Sequence, residues 1–139
     1  MKQKILSFLI TLVFLNINLF ADKIIVNINN PVRKLSRASV RQIFMGQKSR
    51  WPHNSRIQVA DYKADFTIRR SFSEFWLNQS PYQVYRSWLR VSLSGQALPP
   101  HILGSEQDLV NFIANNSNAI GYISDDTPVP ANVKVIHIE

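Results

Sequence analysis

Cysteine is absent from the sequence. Disulfides, thiol nucleophiles and cysteine–zinc sites are therefore excluded, and an exported form would have to be held by packing alone. Histidine is scarce: His53, His101 and His137 stand 48 and 36 residues apart, with no HxxxH or HxH pair to seed a metal centre. No Gly-x-Ser-x-Gly elbow, P-loop or dinucleotide fingerprint occurs. Asp61 and Asp65 form a close carboxylate pair, but no candidate nucleophile accompanies it. The chain is accordingly read as a non-enzyme, with no catalytic residue, metal or cofactor predicted.

The long apolar run is confined to the N-terminus. Met1 to Lys4 is a short basic stretch, Ile5 to Phe20 is apolar but diluted by Ser7, Thr11, Asn16 and Asn18, and Ala21 precedes the first acidic residue, Asp22. This is the layout of a secretory signal peptide over residues 1–21, too short for a comfortable membrane span. Leu19, where a small residue is usual, leaves an uncleaved anchor as the alternative. The 139-residue chain less its 21-residue leader leaves 118 residues, 22–139, enough for one domain with a real core. Lys2 and Lys4 lie in the leader, so 14 of the 16 basic side chains face 9 acidic ones, a formal +5. Such a surplus favours acidic partners or simply solubility. Trp51, Trp76, Trp88, Tyr82 and Tyr85 interleave with Arg50, Arg86 and Arg90, a mixture that can bind nucleic acid. The export signal and the helical spacing of these residues argue against that use.

The β-branched "KIIVNINN" (23–30) predicts a first strand. "LSRASVRQIFMG" predicts a helix with Ser36 as N-cap, a Leu35–Val40 staple and Gly46 as its stop. "RIQVADY" (56–62) predicts a second strand, after which Ile68, Phe72, Phe75 and Trp76 mark an apolar helical stripe. Ser80, Pro81 and Gln83 open a further helix as a capping box; its predicted core face is Val84, Tyr85, Trp88 and Leu89. "GQALPPHILG" reads as loop and "SEQDLVNFIANN" as a helix capped by Ser105, followed by strands "NAIGYIS" and "VKVIHIE". The order β-α-β-α-α-α-β-β predicts one α/β domain with a mainly parallel sheet flanked by helices.

Leu35, Ser36, Ile43, Phe44, Gly46, Trp51 and the later Ala119-Ile120-Gly121-Tyr122 stand in an order that resembles the phosphate-binding proteins of bacterial ABC transporters. The resemblance covers nearly all of 22–139 but only one of the two lobes that those receptors close on ligand. It implies a single three-layer lobe of a type II periplasmic binding protein, located in the periplasm. Its implied partner is phosphate or another small anion. The missing lobe leaves an alternative: an envelope protein or a second copy covering the exposed former cleft face. In the family, the elbow after the second strand carries an arginine and then Ser-Gly-Thr at a helix start. Here Asp61 stands at the arginine position and Asp65-Phe66-Thr67 across the Ser-Gly-Thr span. Ser36, Lys63, Thr67, Arg69 and Arg70 are the candidate contacts to an anion, one arginine folding back to restore the lost charge. Asp61 and Asp65 are the candidate contacts to a cationic or hydroxyl-bearing ligand. Read alone, Asp65 is a helix cap and Arg69 and Arg70 are a solvated face.

Overall fold

The computed structural model describes residues 22–139; the leader assigned to 1–21 lies outside the described residues. Ile24, Ile25 and Val26 are all buried because β1 (Lys23–Asn27) has strands on both sides. It ends three residues sooner than the apolar run predicts. Asn27 Nδ2 turns instead to donate to the carbonyls of Ile113 and Ala114, and its Oδ1 accepts from Asn29 N–H in a tight turn.

The remaining strands are β2 (Lys34–Leu35), β3 (Gln58–Tyr62), β4 (His101–Leu103), β5 (Ala119–Ile123), β6 (Val133–Val135) and β7 (His137–Ile138). Five of them form one sheet in the order β4-β3-β5-β1-β6. β3 runs parallel to β4 and β5, whereas β1 is antiparallel to both β5 and β6. Four strands therefore point one way and β1 alone is reversed, which makes the sheet mainly parallel as expected. β2 and β7 form a separate parallel pair. The structure thus splits the predicted terminal strand at Ile136, and places a strand, β4, inside the proline-rich segment read as loop. At the sheet's edge β4 needs only one neighbour, so Pro99 and Pro100 just ahead of it are tolerated.

The helices are α1 (Arg37–Phe44), α2 (Thr67–Phe72), α3 (Pro81–Leu93) and α4 (Glu106–Ala114), with a π-helical turn, Ser73–Leu77, extending α2. The caps of α1, α3 and α4 are those the sequence advertises. Ser36 accepts from Ser39 N–H, Ser80 and Gln83 form the reciprocal capping box, and Ser105 accepts from Asp108 N–H.

Alternation along β5 sorts the helices into layers. Gly121 faces α4, where an added Cβ would sit 2.8 Å from Ile113 Cδ1 and 2.9 Å from Leu109 Cδ2. Tyr122 faces the opposite layer, its ring stacked on Phe72 at 3.7 Å and edge-on to Phe44 at 5.8 Å. α3 then docks on the exit of α1. Trp88 Nε1 donates to Phe44 O, and Gly46 (φ +75°) leaves no room for a Cβ, which would meet Val91 Cγ2 at 2.6 Å. Trp51 ties the preceding loop to the start of β5 through Asn118 O.

Two predicted core faces are rotated. The buried residues from α2 onward are Arg69, Phe72, Ser73, Trp76 and Leu77, with Phe75 exposed and capped by the guanidinium of Arg37 at 4.8 Å. In α3 the buried residues are Val84, Trp88 and Val91, while Tyr85 and Leu89 face outward.

Candidate functional site: the elbow after the second long strand

β3 ends in Asp61-Tyr62, both buried, and the chain turns through the exposed Lys63, Ala64 and Asp65 before α2 begins. The N-cap position falls on Phe66, which makes no side-chain capping bond; the turn closes through Phe66 N–H to Lys63 O. This corrects the reading of Asp65 as the cap. Its carboxylate lies one residue too early and is left in solvent.

Arg69 also departs from the solvated-face reading. It is only 5% exposed and folds back beneath the elbow, its Nη1 donating to Tyr62 O at 2.7 Å. Its Nε lies 3.8 Å from Asp61 Oδ2, an ion pair but too long for a hydrogen bond. Nε accordingly has no hydrogen-bond partner among the described residues. The carboxylate is held elsewhere: Tyr122 Oη donates to Asp61 Oδ1 at 2.5 Å, and Tyr62 N–H donates to the same oxygen at 2.8 Å. Tyr62 Oη in turn donates to Tyr122 O. Burial pushes the Asp61 carboxyl up, and the nearby Arg69 and the two hydrogen bonds offset only part of that rise. Burial and the Asp61 charge push the Tyr122 hydroxyl up as well, so it stays a donor.

Arg69 thus restores a positive charge behind the elbow, but that charge serves Asp61 and the Tyr62 carbonyl. Asp61 is part of the interior and is not presented to solvent. Neither tyrosine is recoverable as a network member from local spacing, because both partners are 60 or more residues distant along the chain.

The two sides of α2 differ sharply in charge. One opens on a cavity of about 410 Å³ bordered by Thr67, Ile68, Ser71, Ser124, Asp22 and Asp126. Asp22 is buried there; desolvation and the nearby Glu106 and Asp125 push its carboxyl up to about 7. Burial also acts to raise Glu106, but hydrogen bonds from Ser124 N–H, Ser124 Oγ and Thr127 Oγ1 outweigh it and hold its carboxyl below the ordinary value. The other side opens on a cavity of about 520 Å³ between the elbow and the start of α3. It is bordered by Ala64, Arg69, Arg70, Ser80, Pro81 and Tyr82, with Tyr85 at its end, and by no carboxylate.

Of the seven candidate residues, Arg69 and Arg70 meet at the second cavity, and Thr67 belongs to the acidic one. Lys63 and Asp65 are exposed on the turn between. Ser36 caps α1 and borders neither of the two cavities beside α2. No group of three or more potential metal-ligating side chains occurs among the described residues.

No family model matches the sequence, and no curated protein does. Solved structures do. An ABC-type phosphate transport receptor from Vibrio cholerae superimposes with a TM-score of 0.68 at 24% identity, covering 86% of this chain and 47% of that one. A putative phosphate ABC transporter substrate-binding protein from Clostridium perfringens, solved with bound phosphate, gives 0.66 at 21% identity over 86% and 46%. A possible phosphate binding protein from Planctomyces limnophilus gives 0.60 at 14% identity over 85% and 42%. The fold is that of a single periplasmic-binding-protein lobe. The chain spans about half the length of these receptors, and the likeness carries the architecture, not the ligand. Within this lobe fold, Asp61 is buried at the strand end and the helix start lacks glycine.

Proposed function

We propose that the chain is an exported, non-catalytic binding module of one receptor lobe, working in the periplasm, and that it takes a small anionic solute on the α3 side of the elbow. The supporting observation is the charge of the cavity at Arg69 and Arg70, which two guanidinium groups border and no carboxylate does. The N-terminal end of α3 also borders it through Ser80 and Pro81, adding the positive end of a 13-residue helix dipole. The acidic cavity at Asp22 and Asp126 repels the same ligand. The lobe likeness to transport receptors supports a binding role. Among the described residues no helix is long and apolar enough to cross a membrane. Calorimetric titration with inorganic phosphate, sulfate and glycerol phosphate tests this reading. Measurable binding that Arg70→Ala weakens several-fold is expected, and flat titrations across all three anions would refute it.

A second reading, self-association or contact with an envelope protein, is favoured by the apolar residues exposed on α3 and beside it. Tyr82, Leu93 and Leu98 are each at least 60% exposed. Light scattering across a concentration series tests self-association, and a strictly monomeric protein counts against it.

A further inference from the structure

The anion cavity does not end at Tyr85. Arg69 and Tyr85 also border a second groove, of about 380 Å³, that runs along α3 toward β4. Its walls are apolar: Tyr85, Trp88 and Leu89 from α3, and Pro99, Pro100 and Ile102 from the opposite side. Tyr85, Leu89 and Ile102 are each about half exposed, so the groove is open to solvent. Two polar side chains border it from within. Arg69, almost fully buried, commits only Nη1 to a hydrogen bond and leaves Nε without one among the described residues. Ser92 Oγ is buried and likewise unpartnered.

We propose that the two cavities are one site for a single-chain anionic amphiphile, its phosphate or carboxylate head at Arg69 and Arg70 and its apolar chain along the α3–β4 groove. The inference rests on the anion reading above and adds the ligand class. The charge is sorted as such a ligand requires: Arg70 lies at one end, Arg69 where the two cavities meet, six apolar residues line the groove, and no carboxylate borders either cavity. The two cavities together follow α3 from Pro81 to Ser92, about 16 Å of helix, of which the apolar groove from Tyr85 to Ser92 takes about 10 Å, the reach of a medium-length alkyl chain. Apolar walls with a few placed polar groups are the general pattern of small-molecule sites. A second copy of the chain fits less well, since each copy of residues 22–139 carries a formal +5 and presents Arg70 at this face.

The test is titration of the whole 22–139 chain with dodecyl phosphate, octyl phosphate and inorganic phosphate, all below micellar concentrations. Dodecyltrimethylammonium serves as the cationic control, and anionic phospholipid vesicles separate a free amphiphile from a membrane surface. Dodecyl phosphate is expected to bind at least about tenfold tighter than octyl phosphate, because each added methylene is buried. Leu89→Gln and Ile102→Gln, polar but uncharged changes at exposed positions, are expected to abolish that chain-length gain while leaving inorganic phosphate binding and the melting temperature unchanged. Arg70→Glu is expected to weaken all phosphate probes together. If phosphate binds but the alkyl chain adds nothing, the amphiphile inference fails and the anion reading stands. If no anion binds with or without a chain, both fail. Equal binding of the cationic amphiphile, or binding to vesicles without binding to monomeric dodecyl phosphate, also overturns the inference.

Discussion

Asp61→Ala isolates the interior network at the elbow. The substitution removes the acceptor of Tyr122 Oη and Tyr62 N–H and the carboxylate 3.8 Å from Arg69. Removing one member of a buried ion pair strands the other charge and typically costs about 3–5 kcal/mol. Tyr122→Phe removes only the hydroxyl and keeps the ring on Phe72, so its cost is about 1.5–3 kcal/mol, the range for a hydrogen bond to a charged group. Against a total stability of about 5–15 kcal/mol, the first change is severe and the second moderate. Urea unfolding followed by tryptophan fluorescence reads both. Two further outcomes are specific to this geometry. The Asp61→Ala/Tyr122→Phe pair costs less than the sum of its singles, because both remove the same bond. Asp61→Ala combined with Arg69→Met costs less than Asp61→Ala alone, because no charge is then left buried. An Asp61→Ala cost below about 1 kcal/mol, or strict additivity with Tyr122→Phe, would refute the network as described.

Gly46→Ala is expected to destabilise by about 2–4 kcal/mol in the same assay, combining a left-handed backbone with a Cβ forced against Val91 and Trp88. Asn27→Ala strips a buried side chain that closes the end of α4 on two carbonyls, and a loss of about 2 kcal/mol is expected. Asp22 gives a pH dependence of unusual sign. A carboxyl raised to about 7 binds more protons in the folded state than in the unfolded one, so its contribution favours folding at low pH and is lost as pH rises from about 4 through 7. Asp61 acts in the same sense, whereas Glu106 acts oppositely and only below the ordinary glutamate range. Melting temperatures measured from pH 4 to 8 should therefore fall across neutrality, and Asp22→Asn should flatten the slope. An unchanged slope in that variant counts against the cluster.

The helices were legible because their boundaries carry local chemistry. Ser36, Ser80 with Gln83, and Ser105 each declare a helix start through a bond to a backbone N–H three residues on. Gly121 and Tyr122 were legible as part of a strand, and alternation assigns them to opposite layers. What the sequence hides is the choice between neighbouring stripes of one helix. On α3, Tyr85 and Leu89 are as apolar as Val84 and Val91, and only the docking of Trp88 on Phe44 O decides which set turns inward. On α2, Arg69 takes a core position that an apolar template gives to Ile68, because the partners that make its burial tolerable, Tyr62 O and Asp61, are fixed by tertiary structure. β4 was hidden by its two prolines. These hidden features are the ones that build the α3 groove, since Tyr85, Leu89, Arg69 and Ile102 all border it.

The charge sorting across α2 decides which face can hold an anion. A carboxyl raised to about 7 partly by Glu106 and Asp125 reports a negative local field at the Asp22 side. Any anion entering beside Thr67 would meet that field. Across the helix the sign is reversed. Arg69 is held in place by Tyr62 O and neutralised only in part by an Asp61 that is 3.8 Å away and already engaged by Tyr122. Its residual charge adds to that of Arg70 at the cavity where α3 begins. Positive charge thus stands on the α3 side of the elbow, beside the apolar groove. A ligand answering to both features must carry charge at one end and hydrocarbon at the other.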